Sequence, residues 1–413
     1  MTKPLSEYNF FDPALIEDPF EFYQAAMAQA PIYQIPGTNF FLVTKYDIVA
    51  KALKRHDVFS NNFGAMLAGS NAEDPDVKAI LDEGWPQADT LLTNDPPSHT
   101  RFRKLVNLAF SQKRVNQMEE YIRSIANELI DQFIDDGECD FMQALAIPQP
   151  VAVIAEQLGA DRSEAATFKR WTDAFADRIA GNYGKEREIE CAKDVVEFQK
   201  YMFEKLQERK NKPQDDLLTD LVQARIDGEQ PLTDAELLSI VQQLMVAGNE
   251  TTTNTMAGGL LQLIQNPEQM AKVRAERKLI PNMVEEVLRL ESATSGMWRV
   301  VKEDTELEGV SVPAGSMLHL RYAAANRDPD KFENPNDFKV DRKNANKQMA
   351  FGQGIHVCVG QMLSRKELCI AYDIIFDRLN NIQLAEGKND LKHMPNVMLR
   401  GLKELHITFD KAA

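Results

Sequence analysis

The feature that most constrains the fold and function of this chain is a glycine-rich stretch near its end. It reads Phe351-Gly352-Gln353-Gly354-Ile355-His356-Val357-Cys358-Val359-Gly360. Its glycines let the backbone turn tightly and approach a flat ligand closely. The residues from Gln361 to Leu379 carry apolar side chains at helical spacing, so Cys358 is predicted to lie at the start of a helix. Exposed N–H groups and the helix dipole favour a thiolate there. A thiolate held in a rigid loop is what an axial haem ligand requires.

The stretch resembles the F-x-x-G-x-H-x-C-x-G signature of the bacterial cytochrome P450 family and matches it at every fixed position. Further motifs upstream follow the order of that family, and the resemblance covers nearly the whole chain. It implies a mainly α fold, a helix-rich single domain over residues 1–413 with a small β region. It also implies haem b as the cofactor, with the Cys358 thiolate as its axial ligand.

The resemblance also assigns roles to the neighbours of that cysteine. The implied haem contacts in the stretch are Phe351, Gly352, His356 and Gly360. The other cysteines of the chain fit the usual role of small buried hydrophobic side chains, and they are Cys139, Cys191 and Cys369.

Composition excludes several classes of function. Hydrophobic residues make up 44% of the 413 residues, enough for a large core, and no Pro/Gly/Ser-rich linker or repeat marks a domain boundary. The net charge of −16 and the pI near 5.0 argue against a nucleic-acid partner. Residues 1–16 contain no apolar run that spans a bilayer, so no membrane association is expected. Unpatterned cysteines fit a reducing compartment, and we expect a cytoplasmic monomer.

A second motif lies in a long predicted helix. Thr233-Asp234-Ala235-Glu236 is a capping box, and helical spacing continues to Asn266-Pro267. The centre reads Ala247-Gly248-Asn249-Glu250-Thr251-Thr252, which is costly for a helix because an interior Gly loses about 1 kcal/mol against Ala. The residues alone leave two interpretations open, a tolerated kink or a place where a ligand meets the backbone.

This centre resembles the A-G-x-[DE]-T oxygen-binding motif of the family. The resemblance implies that Ala247 and Gly248 lie against the haem, with Gly248 leaving room for dioxygen. It assigns Thr251 a hydrogen bond to the oxygen and Glu250 the supply of protons. The chemistry needs such a pair, because O–O cleavage consumes protons in a pocket otherwise kept dry. Glu250 replaces the commoner Asp and is one methylene longer.

A third motif is the amphipathic segment Pro281 to Arg289, in which Glu286 and Arg289 share a helix face. An isolated E-x-x-R pair is weak as an indication of function, because most such pairs are surface charges. The resemblance implies that this pair is buried and joined by Arg342. We predict that the three are structural and hold the cysteine loop.

Two haem carboxylates need cations or strong donors when they are buried. The segment Asp95-Pro96-Pro97 predicts the start of a helix, on which His99 and Arg103 lie four residues apart. The resemblance gives both of them, together with Arg299 and His356, the role of binding the propionates.

The substrate pocket is the least determined part of the sequence. The resemblance places its walls on the long helix, on the segment after the E-x-x-R helix and on a C-terminal turn, with the helices of about residues 162–210 as a lid. Gln243, Thr294 and Ser295 either bind a polar group of the substrate or satisfy the backbone. The candidate lining residues are Gln243, Val246, Ala247, Thr294, Ser295, Val397 and Met398.

Cations cluster locally despite the acidic total. They lie around the His99 helix and after the cysteine loop, and they are Arg101, Arg103, Lys104, Lys113, Arg114, Arg365 and Lys366. No flavin- or iron–sulfur-binding segment remains to be placed, so electrons are expected from separate proteins. A basic patch suits an acidic ferredoxin, while ordinary solvated charge is the alternative interpretation.

The sequence as a whole therefore predicts a haem-thiolate monooxygenase that hydroxylates a small hydrophobic substrate such as a terpenoid, steroid or aromatic hydrocarbon. Dioxygen and electrons from a ferredoxin and its reductase would drive the reaction. A peroxide-driven or reductive enzyme and a haem-binding carrier or sensor are the alternatives. Both are disfavoured because Glu250 and Thr251 are present together.

Overall fold

A computed structural model describes residues 3–10, 12–64, 74–180 and 184–412. Residues 181–183, which belong to the predicted lid, lie outside the described residues. The chain divides into two compact units: unit 1 comprises residues 1–60, 126–147 and 251–413, and unit 2 comprises residues 61–125 and 148–250. Two of the four boundaries, after Ile125 and after Glu250, fall inside helices, and the prediction of a single domain stays a prediction.

Helices dominate the described part of the chain, which is about 55% helical. In order, the α-helices are α1 Pro13–Glu17, α2 Phe20–Gln29, α3 Tyr46–Lys54, α4 Pro75–Leu81, α5 Ser98–Ala109, α6 Gln112–Gln117, α7 Glu119–Asp131, α8 Pro148–Gln157, α9 Ala165–Ala180, α10 Lys185–Asn211, α11 Leu217–Gln223, α12 Asp234–Gln265, α13 Pro267–Ala275, α14 Ile280–Glu291, α15 Tyr322–Ala325 and α16 Gln361–Arg378. The helix-rich fold class is confirmed.

Short strands form the small β region, all of it in unit 1. They are β1 Ile32–Gln34, β2 Phe40–Val43, β3 Phe59–Ser60, β4 Glu138–Asp140, β5 Met297–Val301, β6 Thr305–Leu307, β7 Val310–Val312, β8 Met317–Leu320, β9 Leu379–Leu384 and β10 His406–Lys411. The largest sheet has the order β1-β2-β8-β5-β3, in which β2 and β8 run parallel. The others are β4-β10-β9 and the hairpin β6-β7.

The core of unit 1 forms where this sheet meets the short helix α3. Phe41, Val43 and Leu320 from the strands pack with Val49 and Leu53 from the helix. Because successive side chains of a strand point to opposite faces of the sheet, Leu42 packs instead into a second core with Phe22 and Tyr23 of α2. Because β5 lies within the sheet, Arg299 on that strand has a fixed position.

Helix boundaries predicted from local signals are confirmed. Helix α12 begins after Thr233, where the Glu236 N–H donates to Thr233 Oγ1 (3.3 Å) and the Thr233 N–H to Glu236 Oε2 (2.8 Å), the two bonds of a capping box. It ends before Asn266-Pro267 and runs as one helix through Gly248. Among the described helices, none has the length and hydropathy needed to cross a bilayer.

Candidate active site

The cysteine loop of unit 1 is a rigid turn closed by its own backbone. The Cys358 N–H donates to the carbonyl oxygen of Phe351 at 2.9 Å. Gly352 and Gly354 have φ values of +66° and +76°, and a Cβ on Gly354 would lie 2.6 Å from the Leu53 carbonyl oxygen. Only glycine adopts this backbone at low cost in such close quarters. The turn therefore fixes where the Cys358 side chain starts.

Helix α16 begins directly after this loop, with Gly360 as its N-cap. Cys358 thus lies two residues before the N-cap, which confirms its predicted placement at the start of a helix. The other thiols differ, because burial raises the pKa of Cys139 to about 12, that of Cys369 to about 11 and that of Cys191 above its ordinary value. These three cysteines are protonated near neutral pH, which leaves Cys358 as the thiolate candidate.

The surface of the cysteine loop suits a flat apolar ligand. Every residue from Phe351 to Met362 is at least partly exposed, although Phe351, Ile355 and Val357 are apolar. A soft sulfur donor beside a row of apolar side chains is the donor set that a haem requires on its ligand side. The residues present therefore fit a haem with Cys358 as its ligand.

The Glu286 carboxylate is fully buried between two guanidinium groups. Arg289 donates to both of its oxygens at 2.8 Å, and Arg342 donates to them through Nε at 2.9 and 3.0 Å. Glu286 and Arg289 are both 0% exposed. The predicted contact of the three side chains is confirmed, and its strength depends on the bidentate geometry and on burial.

One residue connects this cluster to the cysteine loop. Arg289 donates to the Asn326 carbonyl oxygen at 2.8 Å, and the Asn326 side-chain oxygen accepts the Met349 N–H at 2.7 Å. Met349 precedes Phe351 by two residues. Asn326 is fully buried and was not predicted, because nothing in the sequence marks it except its place at the end of the short apolar helix α15.

Arg299 on β5 is buried, and it hydrogen-bonds Tyr322, which is also buried. Burial raises the pKa of Tyr322, and the neighbouring Arg299 opposes that rise. The Tyr322 hydroxyl would lie 3.4 Å from a Cβ placed on Gly352. Tyr322 thereby joins the predicted propionate anchor to the cysteine loop, a role that the sequence did not reveal.

Unit 2 carries the other two predicted propionate anchors on α5. His99 is buried, at 2% exposure, in the first turn of the helix. Arg103 is half-buried, and its Nε donates to Asn107 one turn further on at 3.0 Å. The cationic and imidazole donors of α5, like Arg299 and His356 of unit 1, are of the type that carboxylates bind.

The centre of α12 has one partly exposed face. Besides Gln242, the exposed or partly exposed residues there are Gln243, Val246, Ala247, Gly248, Glu250 and Thr251. Leu244, Met245 and Asn249 on the other side are buried. The predicted ligand-facing residues are thus the ones that the fold leaves accessible in the middle of a long helix.

Glu250 has an environment that favours its neutral form. Burial raises the pKa of its carboxyl, the nearby Asp173 raises it further, and Lys169 opposes the shift. Lys169 itself forms an ion pair with Asp173 at 2.6 Å on helix α9. Helix α9 is also tied to α12 by a bond from Asn249 to the Thr172 hydroxyl at 3.1 Å. A carboxyl with a raised pKa holds its proton to higher pH than an ordinary one, which suits a role in proton donation.

Packing explains some glycines of α12 but not Gly248. A Cβ on Gly259 would lie 2.2 Å from the Tyr372 hydroxyl and 2.7 Å from Val287, so helix packing requires glycine there. A Cβ on Gly248 would meet only Ile154, at an ordinary 3.7 Å. The glycine in the oxygen-binding motif therefore needs a reason other than helix packing.

Two predicted pocket segments meet in unit 1. The Ser295 N–H donates to the Met398 carbonyl oxygen at 2.7 Å, and Thr294 pairs with Leu399 in an isolated bridge. Val397 accepts a hydrogen bond from Arg321 at 2.7 Å. A Cβ on Gly401 would fall 2.1 Å from Asn254 of α12, so the C-terminal turn packs tightly on that helix.

Gln243 is engaged within unit 2. Its side-chain oxygen accepts the Leu92 N–H at 3.2 Å, and its nitrogen donates to the Thr90 hydroxyl at 2.6 Å. This geometry matches the alternative in which Gln243 holds neighbouring backbone in place. Its partly exposed position on α12 still places it beside the accessible face.

Several cations of the predicted basic patch form ion pairs, which lowers the net positive charge of the patch. In unit 2, Arg101 binds Glu236 at 2.7 Å, Lys104 binds Glu229 at 3.5 Å, and Arg114 is buried against Asp215 and Asp220, each at 2.7 Å. In unit 1, Arg365 binds Glu285 and lies 4.5 Å from the centre of the Phe351 ring. Much of this charge is compensated within the protein, which the sequence did not indicate.

Comparisons with known proteins agree with this site. The family model described as "Cytochrome P450" matches residues 162–405. The chain is 33% identical to "Cytochrome P450 107B1" of Saccharopolyspora erythraea over 96% of each protein. It is 32% identical to "Polyketide biosynthesis cytochrome P450 PksS" of Bacillus subtilis over 95% of this chain and 96% of that protein.

A solved structure extends the likeness to three dimensions. The crystal structure of CYP109E1 from Bacillus megaterium in complex with testosterone has a TM-score of 0.83 and 32% identity, covering 95% of this chain and 99% of that one. The chain belongs to the cytochrome P450 family. It is an oxidoreductase, a cytochrome P450 monooxygenase of the bacterial type.

Proposed function

We propose that this protein binds haem b through the Cys358 thiolate and hydroxylates a small hydrophobic substrate with dioxygen and electrons from a ferredoxin. The observation that carries this proposal is the cysteine loop, in which a thiol two residues before a helix N-cap sits among partly exposed apolar residues. When bound, the haem supplies the redox chemistry that inserts one oxygen atom into a C–H bond.

The chain's contribution on the thiolate side is rigidity. The cluster of Glu286, Arg289 and Arg342 holds Asn326, and Asn326 holds the backbone that leads into the cysteine loop. A Cys358 sulfur held in this way would present the haem with a ligand of fixed position, because the orientation of a metal ligand is set by the groups behind it. We assign these residues a structural role.

The propionates are proposed to bind to His99, Arg103, Arg299 and His356. Support comes from the buried positions of His99 and Arg299 and from the Tyr322 contact that orients Arg299. Buried carboxylates require such charge-assisted donors.

Protons are proposed to pass from the Glu250 carboxyl to the Thr251 hydroxyl, whose Oγ1 donates a hydrogen bond to the oxygen substrate. Support comes from the raised pKa of Glu250, because burial and the nearby Asp173 let its carboxyl hold a proton to higher pH than an ordinary glutamate. Gly248 beside them leaves the space that dioxygen needs, and Ala247 contacts the macrocycle.

The residues proposed to contact the substrate are Gln243, Val246 and Ala247 on α12, and Thr294, Ser295, Val397 and Met398 in unit 1. The apolar Val246, Val397 and Met398 suit a hydrophobic body, as ligand pockets usually do. Testosterone in the related CYP109E1 structure supports the steroid candidate, and the polyketide biosynthesis in the PksS name adds polyketides to the range.

Carbon monoxide provides the direct test of haem-thiolate ligation. The reduced, CO-bound protein is expected to show the strongly red-shifted Soret band of a thiolate ligand. Cys358→Ser should abolish that band, while Cys369→Ser, a change in a protonated cysteine on helix α16, should keep it. A normal band in the Cys358 variant would sink the proposal.

Substrates can be found with the ferric haem as reporter. A library of terpenoids, steroids, polyketide fragments and aromatic hydrocarbons is screened for the low- to high-spin shift. The hydroxylated product of each hit is then identified by mass spectrometry. Binding without any turnover, with reductase and ferredoxin present, would favour the carrier or sensor alternative.

A ferredoxin is the proposed donor, and Lys113 and Lys366 are candidate contacts for it. If charge steers the two proteins together, turnover should fall strongly in high salt while substrate binding is unchanged. Equal turnover at low and high salt would argue for a different donor or a different surface.

A further inference from the structure

A small cavity in unit 1 contains a buried positive charge that no carboxylate neutralises. Arg321, which follows β8, is 4% exposed and lines this cavity. It donates to the Val397 carbonyl oxygen at 2.7 Å, to the Tyr23 hydroxyl and towards His319 Nδ1 at 3.3 Å. Among the described residues, its Nε has no hydrogen-bond partner and no acid forms an ion pair with it.

The neighbours of Arg321 do not compensate its charge. Burial lowers the pKa of Arg321 to about 9, so the guanidinium is still mostly protonated near neutral pH. Burial also lowers the pKa of His319 to about 3, which makes that ring neutral. The remaining contacts are the faces of Tyr23 and Phe10, 5.0 and 5.8 Å from the guanidinium carbon. An isolated buried cation is costly, so a counter-ion at this position would be stabilising.

Three acids, Glu291, Glu17 and Asp18, act on Arg400 of the cavity wall, and none of them forms an ion pair with Arg321 among the described residues. Glu17 contacts His393 through its ring Nδ1 at 2.7 Å, and the His393 N–H donates to the same carboxylate at 3.1 Å. Arg400, a second guanidinium on the cavity wall, donates to the Glu17 carbonyl oxygen at 2.6 Å. The wall therefore carries two guanidinium groups, and the carboxylate of Glu17 is occupied by the imidazole.

The size and position of the cavity indicate what it can hold. Its free space is about 20 Å³, room for one or two groups of the size of a water molecule. Ser295 and Val397, two of the predicted substrate-pocket residues, also line it, and its other walls are largely apolar. A polar tip on a hydrophobic molecule fits such a space, whereas a whole substrate does not.

We propose that the cavity beside Arg321 is a subsite for a carboxylate-sized anion, and that the natural substrate is a hydrophobic monocarboxylate whose acid group binds there. The choice of substrate rests on the proposed function, since the rest of the molecule would extend from Ser295 and Val397 towards the reacting position. A free anion of the medium has the same chemistry and is the other possible source.

Paired probes separate the two sources. Binding of decanoate and decan-1-ol to the haem-loaded enzyme is measured by calorimetry and by the spin-state shift. The carboxylate should bind about tenfold tighter than the alcohol, because a charge-assisted bond to a buried guanidinium replaces a neutral one. Arg321→Gln should remove this preference and leave alcohol binding unchanged.

Arg327→Gln is the matched control. Arg327 is a partly exposed arginine that stacks on Phe20 at 3.8 Å, and it is not part of the cavity wall. This variant should keep the preference for decanoate. If Arg321→Gln does not fold, two measurements still test the subsite. They are the binding of decanoate and decan-1-ol to Arg321→Lys, and the preference for the acid over the alcohol in the unaltered enzyme.

A chloride and acetate series completes the test. A rise in thermal stability with these anions that is lost in Arg321→Gln, without any preference for decanoate, would assign the subsite to a free anion. No preference for the acid and no anion effect would overturn the subsite. Because the CO-bound spectrum is recorded on the same samples, failure of haem-thiolate ligation remains distinguishable from failure of the subsite.

Discussion

At the scale of single residues, the hydroxyls of the threonine run in α12 have different partners. The Thr252 hydroxyl pairs with that of Ser364 at 3.1 Å, and the Thr253 hydroxyl donates to the Ala146 carbonyl oxygen at 2.9 Å. These contacts lie within unit 1 and are structural. Thr251 differs from them because it lies on the partly exposed face.

Because of this difference, substitutions of Thr251 and Thr253 should affect different properties: the coupling of electron consumption to product formation, and the stability of the fold. Thr251→Ala should lower product formation by about tenfold or more, because proton delivery fails and electrons are released as hydrogen peroxide. Thr253→Ala should lower the melting temperature but keep product and electron consumption matched. The measurement is product and peroxide per NADH consumed; full coupling in Thr251→Ala would place the proton path elsewhere.

Glu286 offers a second test at this scale. Glu286→Gln leaves two buried guanidinium groups without their carboxylate and should lower the free energy of unfolding by about 3–5 kcal/mol. Glu285→Gln is the matched control, since Glu285 is partly exposed and pairs with Arg365, and it should cost about 1 kcal/mol or less. Denaturant unfolding and the fraction of protein that retains haem report both effects.

At the scale of elements, the sequence predicted the ends of helices best where neighbouring residues in the chain determine them. The capping box, the Asn266-Pro267 stop and the apolar spacing after Gly360 located the ends of α12 and α16. Residues whose role depends on a distant partner were missed. Asn326, Tyr322 and Arg321 act through segments far away in the chain, and no local pattern distinguishes a buried polar residue with a partner from a surface one.

The candidate site shows the same difference between residues that a local motif marks and residues whose role depends on a distant partner. Cys358, Glu286 and the accessible face of α12 follow from motifs and helical periodicity. Gln243 illustrates the limit, because its position on that face was predicted but its bonds to Thr90 and Leu92 depend on a loop without a motif. The ion pairs of Arg101 and Arg114 were missed for the same reason.

The glycines of α12 give a prediction for the helix. Gly259→Ala should lower the free energy of unfolding by about 1–3 kcal/mol, because its Cβ would overlap Tyr372 and Val287. Gly248→Ala should leave stability unchanged or raise it by up to about 1 kcal/mol through helix propensity. It should instead slow CO binding to the reduced haem. A strongly destabilised Gly248→Ala would show that packing, not ligand access, selects this glycine.

At the scale of the whole molecule, buried ionisable groups set the pH dependence of stability. Burial raises the pKa of Glu367, which is 3% exposed on α16, to about 8. In the unfolded chain this carboxyl loses its proton near its ordinary value of 4.5. Between those pH values the folded protein holds one more proton than the unfolded chain, so stability falls as pH rises through this window.

Glu367→Gln should therefore flatten that decline and stabilise the protein above about pH 8 by a few kcal/mol. Glu386→Gln, at an exposed position, should leave the slope unchanged. Melting temperatures across the pH range give the answer. A Glu367 variant with the same slope as the unaltered protein would show that this carboxyl is ionised in the folded state.

The cluster around Glu286 has a consequence for the order in which the protein acquires its structure. Glu286 and Arg289 can meet within one helix, but Arg342 is 56 residues away from Glu286, and the loop ends later still. Contacts between distant parts of a chain form late in folding because closing the intervening loop costs entropy. The cysteine loop should thus become rigid late, so a refolding chain should capture haem only after most of its helical signal has returned.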